Sequence, residues 1–165
     1  MRYHYCPKCG GRLKLNEQLE KNKPICEQCR FVFYQNPIVG VAAIVIKDQQ
    51  LLLGKRNSSY KDKWCIPCGY VEYDEDVYDA VQREFNEETG LQIQPRSVYD
   101  VQSNFHNPKQ HTVGIWFLAD VVAGTLAAGD DLDDVDYFDT HRLPELAFPT
   151  DRMIINKLKE GRLIR

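Results

Sequence analysis

No apolar run in this 165-residue chain approaches the roughly 18 to 20 residues that span a bilayer, so no helical membrane anchor is expected. The opening residues, 1–7, lack the apolar stretch of a secretory signal, and a cytoplasmic location is the corresponding expectation. No internal repeat or low-complexity tail is present, and nothing in the composition suggests disorder. A strong excess of one charge is missing too: 21 Lys and Arg against 24 Asp and Glu leave −3. What the chain does have is 43% hydrophobic content, enough for one ordinary domain plus a small appendage.

The near-balanced charge hides two different surfaces. Residues 69–91 hold eight acids and one base, whereas residues 1–35 hold seven bases and three acids. The basic end also carries Cys6 and Cys9 in one CxxC and Cys26 and Cys29 in another, with sixteen residues between the pairs. That spacing is expected of a four-cysteine zinc site, and Gly10 and Gly11 follow the first pair where a tight turn is needed. Two disulfides fit poorly with a reducing compartment. Such a site is closed and structural, because a hydrolytic zinc needs an open position for water. Four thiolates and one Zn²⁺ carry −2, which lowers the module's formal +4 to about +2, too little to argue for nucleic-acid binding on charge alone. A third CxxC, Cys65–Cys68, is separated from the following helix by Gly69 and several acids; it reads as two small buried residues in an extended lead-in, not as a redox pair.

The acidic stretch is the more specific signal. It reads Gly69, five residues, Glu75, seven residues, then Arg83, Glu84, Phe85, Asn86, Glu87, Glu88, Thr89, Gly90, Leu91. On a helix, Glu84, Glu87 and Glu88 fall within an arc of roughly 100°, and Val77, Ala80 and Val81 occupy the same arc one and two turns earlier. The carboxylates thus continue a face that the helix buries, where unpaired charge is very costly. A cation is expected there, and clustered hard oxygen ligands suit Mg²⁺ or Mn²⁺ better than zinc. Arg83 lies on the flank of the arc, placed to pair with Glu75 or a neighbouring carboxylate. A solvated acidic face accounts for most Glu clusters, but it does not require this Gly, Glu, Arg, Glu, Glu, Glu, Gly pattern at fixed spacing.

With every defining position filled, the segment resembles the signature box of the Nudix hydrolases. The resemblance implies an α/β/α sandwich with a mixed sheet, here preceded by a four-cysteine zinc ribbon, and metal-dependent hydrolysis of a nucleoside diphosphate linked to another group. It implies Glu84, Glu87 and Glu88 as Mg²⁺ or Mn²⁺ ligands, aided by the Gly69 carbonyl, with Glu84 or Glu88 taking the proton of the attacking water. Some members add an acid from a later loop, for which Asp131 and Asp134 are the candidates, within a run of six aspartates in residues 130–139. Glu75 and Arg83 complete the expected catalytic set.

Domain boundaries are expected at 1–35 for the ribbon and 36–165 for the hydrolase. Val39 to Ile46 and Leu51 to Gly54 read as a hairpin, and Asn57 to Lys63 as a loop over a cleft. Asp74 is the expected cap of the box helix, which Gly90 ends. Val98 to Ser103 and Thr112 to Val122 read as strands, and a last helix over about Asp151 to Lys159 is capped by Thr150 or Asp151. A ribbon ahead of the box, with Tyr34-Gln35-Asn36-Pro37 and Leu146-Ala147-Phe148-Pro149, is similar to the branch of NADH pyrophosphatases and of enzymes that split ADP-ribose and FAD. Ser103 to Pro108 departs from the stretch typical of the NADH type, which speaks against NADH selectivity. A nucleotide-sensing or nucleic-acid-binding regulator on the same fold and a nucleoside triphosphate pyrophosphatase are the alternatives. The expected partner is a small-molecule nucleotide, with a second copy of the chain as a candidate assembly.

Overall fold

The computed structural model describes residues 3–15 and 23–164. The chain divides into two units, residues 1–37 and 38–165.

In the first unit, strands β1 (Leu13–Lys14) and β2 (Ile25–Cys26) pair antiparallel, extended by bridges from Tyr5 to Arg12 and from Ile25 to Val32. Among the described residues Cys6, Leu13 and Cys26 are buried together with Phe33 against them, a core too small by itself to hold a fold without a staple.

The second unit begins with β3 (Ile38–Lys47) and β4 (Gln50–Arg56), joined by Asp48 and Gln49, both left-handed at φ 50° and 67°, as a two-residue hairpin turn requires. The two strands pair only at that turn, Ile46 with Leu51 and Lys47 with Gln50. Short strands β5 (Trp64–Cys65) and β6 (Cys68–Tyr70) follow, then helix α1 (Val77–Thr89), long strands β7 (Leu91–Asn104) and β8 (Thr112–Gly124), β9 (Leu132–Asp139) and helix α2 (Pro149–Glu160). Away from the turn, β3 pairs with β8 in parallel and with β6 antiparallel, while β4 pairs antiparallel with β5 and β9. The mixed sheet thus opens between Gly40–Ala42 on one side and Arg56 on the other.

Alternation along β3 explains its unbroken apolar sequence. Val41, Ala43 and Val45 pack with Ala80, Val81 and Phe85 of α1, whereas Ala42 and Ile44 pack with Ile154, Ile155 and Leu158 of α2. Both faces are covered, so both must be apolar. The result is a sheet between two helices, an α/β sandwich.

Several boundaries differ from the sequence expectation. The cap of α1 is Asp76, whose side chain accepts from the Tyr78 amide at 2.8 Å, and not Asp74. Helix α2 starts at Pro149, with Phe148 in the capping position and no side-chain cap; Thr150 and Asp151 are inside its first turn and buried. Proline fits there because a first-turn N–H has no intrahelical partner. Most of the aspartate-rich run, Leu132–Asp139, is strand β9, whose Val135 and Tyr137 turn inward between exposed aspartates. Among the described residues no helix is long and apolar enough to cross a membrane.

Candidate functional site

Helix α1 brings its acids to the mouth of the opened sheet through one arginine. Arg83 donates to both carboxylate oxygens of Glu75 (2.7 and 2.8 Å), to Glu84 (2.9 Å), to Glu87 (3.2 Å) and to the carbonyl of Tyr70 (3.1 Å). Glu75 also accepts from the Glu72 amide, and with Arg83 this holds its carboxyl down at about 2. The loop before α1 is therefore lashed to the helix, with Gly69 against Glu84. A Cβ on Gly69 would collide with the Glu84 carboxylate, so only glycine leaves that acid its place.

Glu88 is 1% exposed; its Oε2 accepts from the Cys68 amide at 2.7 Å, and burial pushes its carboxyl well above the usual carboxylate range. Burial also raises the Glu84 carboxyl, against the opposing effect of Arg83. The third acid of the predicted arc behaves differently: the Glu87 side chain is half exposed and outside the cavity. Three acids share a helical arc, but the arc is wider than the opening, and Glu87 falls on its solvent side.

The segment after β8 supplies another acid. Amides of Ala127 and Gly129 donate to the last carbonyls of α1, those of Thr89 and Glu88, which anchors the chain just before Asp131. Asp131 Oδ2 accepts from Arg56 Nη2 at 2.6 Å, while its Oδ1 is buried with no hydrogen-bond partner. Asp134 is two strand positions beyond Leu132, opposite Lys55, with its Oδ1 accepting from the Val135 amide, and does not reach the cavity. Arg56 itself, 7% exposed, also donates to the Ser59 carbonyl (2.8 Å) and hydroxyl (3.1 Å), holding the loop between β4 and β5.

These groups line a cavity of about 420 Å³. Its lining includes Glu84, Glu88, Asp131 and Arg56, together with Tyr60, His106 and Phe148; the Phe148 ring centre is 5.2 Å from that of Tyr60, 5.7 Å from that of His106 and 5.3 Å from the Arg56 guanidinium. Asp151 forms part of the floor, its carboxylate accepting from the Ile66 amide (3.1 Å) and raised by burial to about 7. Among the described residues the buried side-chain polar atoms without a partner belong to Asn104, Trp116 and Asp131, and all three residues line this cavity. Sequence reasoning missed Arg56 and Asp151. Arg56 ends a strand between Lys55 and Asn57, and Asp151 stands beside Arg152 at a helix start, so neither setting marks a buried charge in the sequence.

In the first unit the four cysteine sulfurs lie within 4.8 Å of one another, with Cys6 and Cys29 3.7 Å apart and Cys9 and Cys26 3.5 Å apart. Tetrahedral thiolates about 2.3 Å from a zinc ion stand roughly 3.8 Å from each other, so the spacing fits. The amides of Lys8 and Cys29 donate to Cys6 and Cys26 at 3.4 Å, and the Cys29 amide contributes most to holding the Cys26 thiol low, at about 6.

A NUDIX domain family model matches residues 36–158. An ADP-ribose pyrophosphatase of Methanocaldococcus jannaschii is 40% identical over 127 residues, 76% of this chain and 75% of the relative. A NAD-capped RNA hydrolase NudC of Vibrio vulnificus is 31% identical over 145 residues, 87% of this chain; this chain spans 53% of that relative's length. A NUDIX hydrolase crystal structure from Nitrosomonas europaea shares the fold with a TM-score of 0.84 at 28% identity, over 97% of this chain and 92% of that one.

Proposed function

Since the chain belongs to the NUDIX domain family and is a Nudix hydrolase, we propose that it cleaves the pyrophosphate bond of a nucleoside diphosphate linked to a second moiety, with ADP-ribose as the first substrate to test and FAD next. The observation that carries this reading is that Glu84, Glu88, Asp131 and Arg56 line one cavity together with Tyr60, His106 and Phe148. The similarity to an ADP-ribose pyrophosphatase supports the choice of substrate.

The family implies a divalent metal, and the donors present fit one. Glu88 is buried with the Cys68 amide on its Oε2, Asp131 Oδ1 is buried without a hydrogen-bond partner, and all the available atoms are hard oxygens. Glu84, Glu88 and Asp131, with the Gly69 carbonyl, would hold Mg²⁺ or Mn²⁺, and exposed Glu87 would act from the edge. When bound, such an ion gathers diphosphate oxygens, offsets the charge that develops at phosphorus and makes water a better nucleophile at neutral pH.

The chain's own groups do the rest. Arg83 holds Glu84 through an ion pair to Oε1 and ties the loop that carries Gly69 to α1. The Cys68 amide occupies Glu88 Oε2 and leaves Oε1 to face the metal or to accept the water's proton. Arg56 holds Asp131 and borders the space a phosphate would fill, so it both orients an acid and presents positive charge. Tyr60 and His106, grouped about a Phe148 ring that carries the Arg56 guanidinium 5.3 Å from its centre, are the aromatic groups beside which a base would lie.

The test is a panel of ADP-ribose, FAD, NADH, NAD, diadenosine polyphosphates and nucleoside triphosphates with Mg²⁺ or Mn²⁺. The expected products from ADP-ribose are AMP and ribose 5-phosphate. Pyrophosphate released from a triphosphate, with ADP-ribose untouched, would replace this reading with that of a nucleoside triphosphate pyrophosphatase.

A further inference from the structure

The hydrolytic site leaves one sequence motif unused, the third CxxC, formed by Cys65, Ile66, Pro67 and Cys68. These residues cross the opening in the sheet: Cys65 on β5 pairs with Gly54 of β4, and Cys68 on β6 pairs with Ala42 of β3. Each later step of the crossing is pinned. The Ile66 amide donates to Asp151 Oδ2 at 3.1 Å, the Pro67 carbonyl accepts from the Ala43 amide at 3.1 Å, and the Cys68 amide donates to Glu88 Oε2 at 2.7 Å.

Two small buried residues, the expectation from sequence, describes only half of the pair. Cys65 is fully buried, with its sulfur 3.8 Å from Arg56 Nη1, whereas Cys68 is partly exposed and lines the cavity. The two side chains are hydrogen-bonded to one another. A thiol open to a cavity, with a second thiol in contact behind it, is the arrangement of a redox-sensing pair, in which one sulfur meets the oxidant and the other resolves it. Contact with Cys65, burial and the charges of Glu88 and Asp151 push the Cys68 thiol up, which keeps the pair slow to oxidise until oxidant is in excess.

Sulfurs in hydrogen-bond contact stand well beyond the roughly 2.0 Å of a disulfide. Closing that bond therefore draws Cys65 and Cys68 together across the sheet opening. Cys68 is joined to the site twice: its amide holds Glu88, and the next residue is Gly69, against which the Glu84 carboxylate packs. A displacement near 1 Å at such groups costs about 100-fold in rate.

We propose that Cys65 and Cys68 form a reversible disulfide that switches the hydrolytic site off. Two S–H bonds break and one S–S bond forms, while two electrons and two protons pass to hydrogen peroxide, whose O–O bond breaks to give two waters. A dithiol reductant reverses the step by thiol–disulfide exchange and ends as the disulfide itself. The switch rests on the hydrolytic reading, but the bond is detected without it.

The experiment treats the full-length protein with diamide, whose N=N bond takes up the same two electrons and two protons and which couples thiols in pairs. Peptide mass spectrometry maps the disulfides, and ADP-ribose hydrolysis is followed with Mg²⁺ before treatment, after it and after dithiothreitol. Treated wild type should carry a Cys65–Cys68 disulfide, lose at least about tenfold of its rate and regain it with dithiothreitol. Cys65→Ser and Cys68→Ser, each compared with its own untreated rate and checked for folding by circular dichroism, should keep their rates. Absence of the Cys65–Cys68 bond in treated wild type, formation of the bond with no change in rate, or an equal loss in wild type and both variants, which would trace the inhibition to the thiols of the first unit, would each overturn the proposal. Untreated protein that turns over nothing in the substrate panel would overturn the hydrolytic reading and the switch with it, whereas the other three results leave hydrolysis standing.

Discussion

At the scale of single residues, the site is built from groups that have no freedom to be anything else. Gly69 is the sharpest case, because a Cβ there would meet the Glu84 carboxylate. Gly69→Ala should displace Glu84 and cut kcat/KM for ADP-ribose by about 100-fold, the scale of a displacement near 1 Å, while leaving the melting temperature nearly unchanged. A variant with wild-type turnover would show that Glu84 does not act from this position. Asp151 makes a separate statement about pH. Burial raises its carboxyl to about 7, against about 4 in the unfolded chain. Between those values the folded state keeps a proton that the unfolded state releases, so the Asp151 contribution to stability is full below about pH 4 and is lost as pH rises through about 7. Asp151→Asn carries no charge to bury and keeps an acceptor for the Ile66 amide. Its melting temperature relative to wild type should therefore climb between pH 5 and pH 8; parallel curves would contradict the assignment.

At the scale of elements, the sequence revealed the box and concealed its companion. Glu84, Glu88 and Arg83 were legible because helical spacing is a fixed geometry, and the two apolar faces of β3 and the 3.6-residue stripe of α1 followed from the same kind of rule. Arg56 was not legible, since a terminal arginine on an apolar strand looks like any strand end. The aspartate-rich run was ambiguous for a different reason: whether a carboxylate meets α1 depends on where β9 begins. Asp131 comes just before β9, in a loop tied to the end of α1, and faces the cavity; Asp134 is within the strand and faces Lys55. Asp131→Asn should lower kcat/KM by roughly 100-fold, in the range for removing one group that acts on developing charge, whereas Asp134→Asn should stay within about twofold. Equal effects would mean that the register of β9 is wrong.

At the scale of the whole molecule, two units meet different physical requirements. The sandwich buries apolar residues on both faces of its sheet, and the ribbon has a core of little more than Cys6, Leu13, Cys26 and Phe33. A metal held by the four cysteines is expected to supply what that core lacks. Purified protein should retain about one zinc per chain after dialysis, and Cys26→Ser should lose the zinc and unfold the ribbon, seen as new protease cleavage within residues 1–37. A zinc-free wild type of equal stability would refute the structural role. The central claim is that carboxylates on α1, buried with Asp131 beside them, form a cation site for pyrophosphate hydrolysis. Its most direct test is the rate of ADP-ribose cleavage by wild type and by Glu88→Gln across a Mg²⁺ titration. Magnesium-dependent release of AMP that falls about 1,000-fold in the variant is the predicted result, and a variant that turns over like wild type would contradict the account.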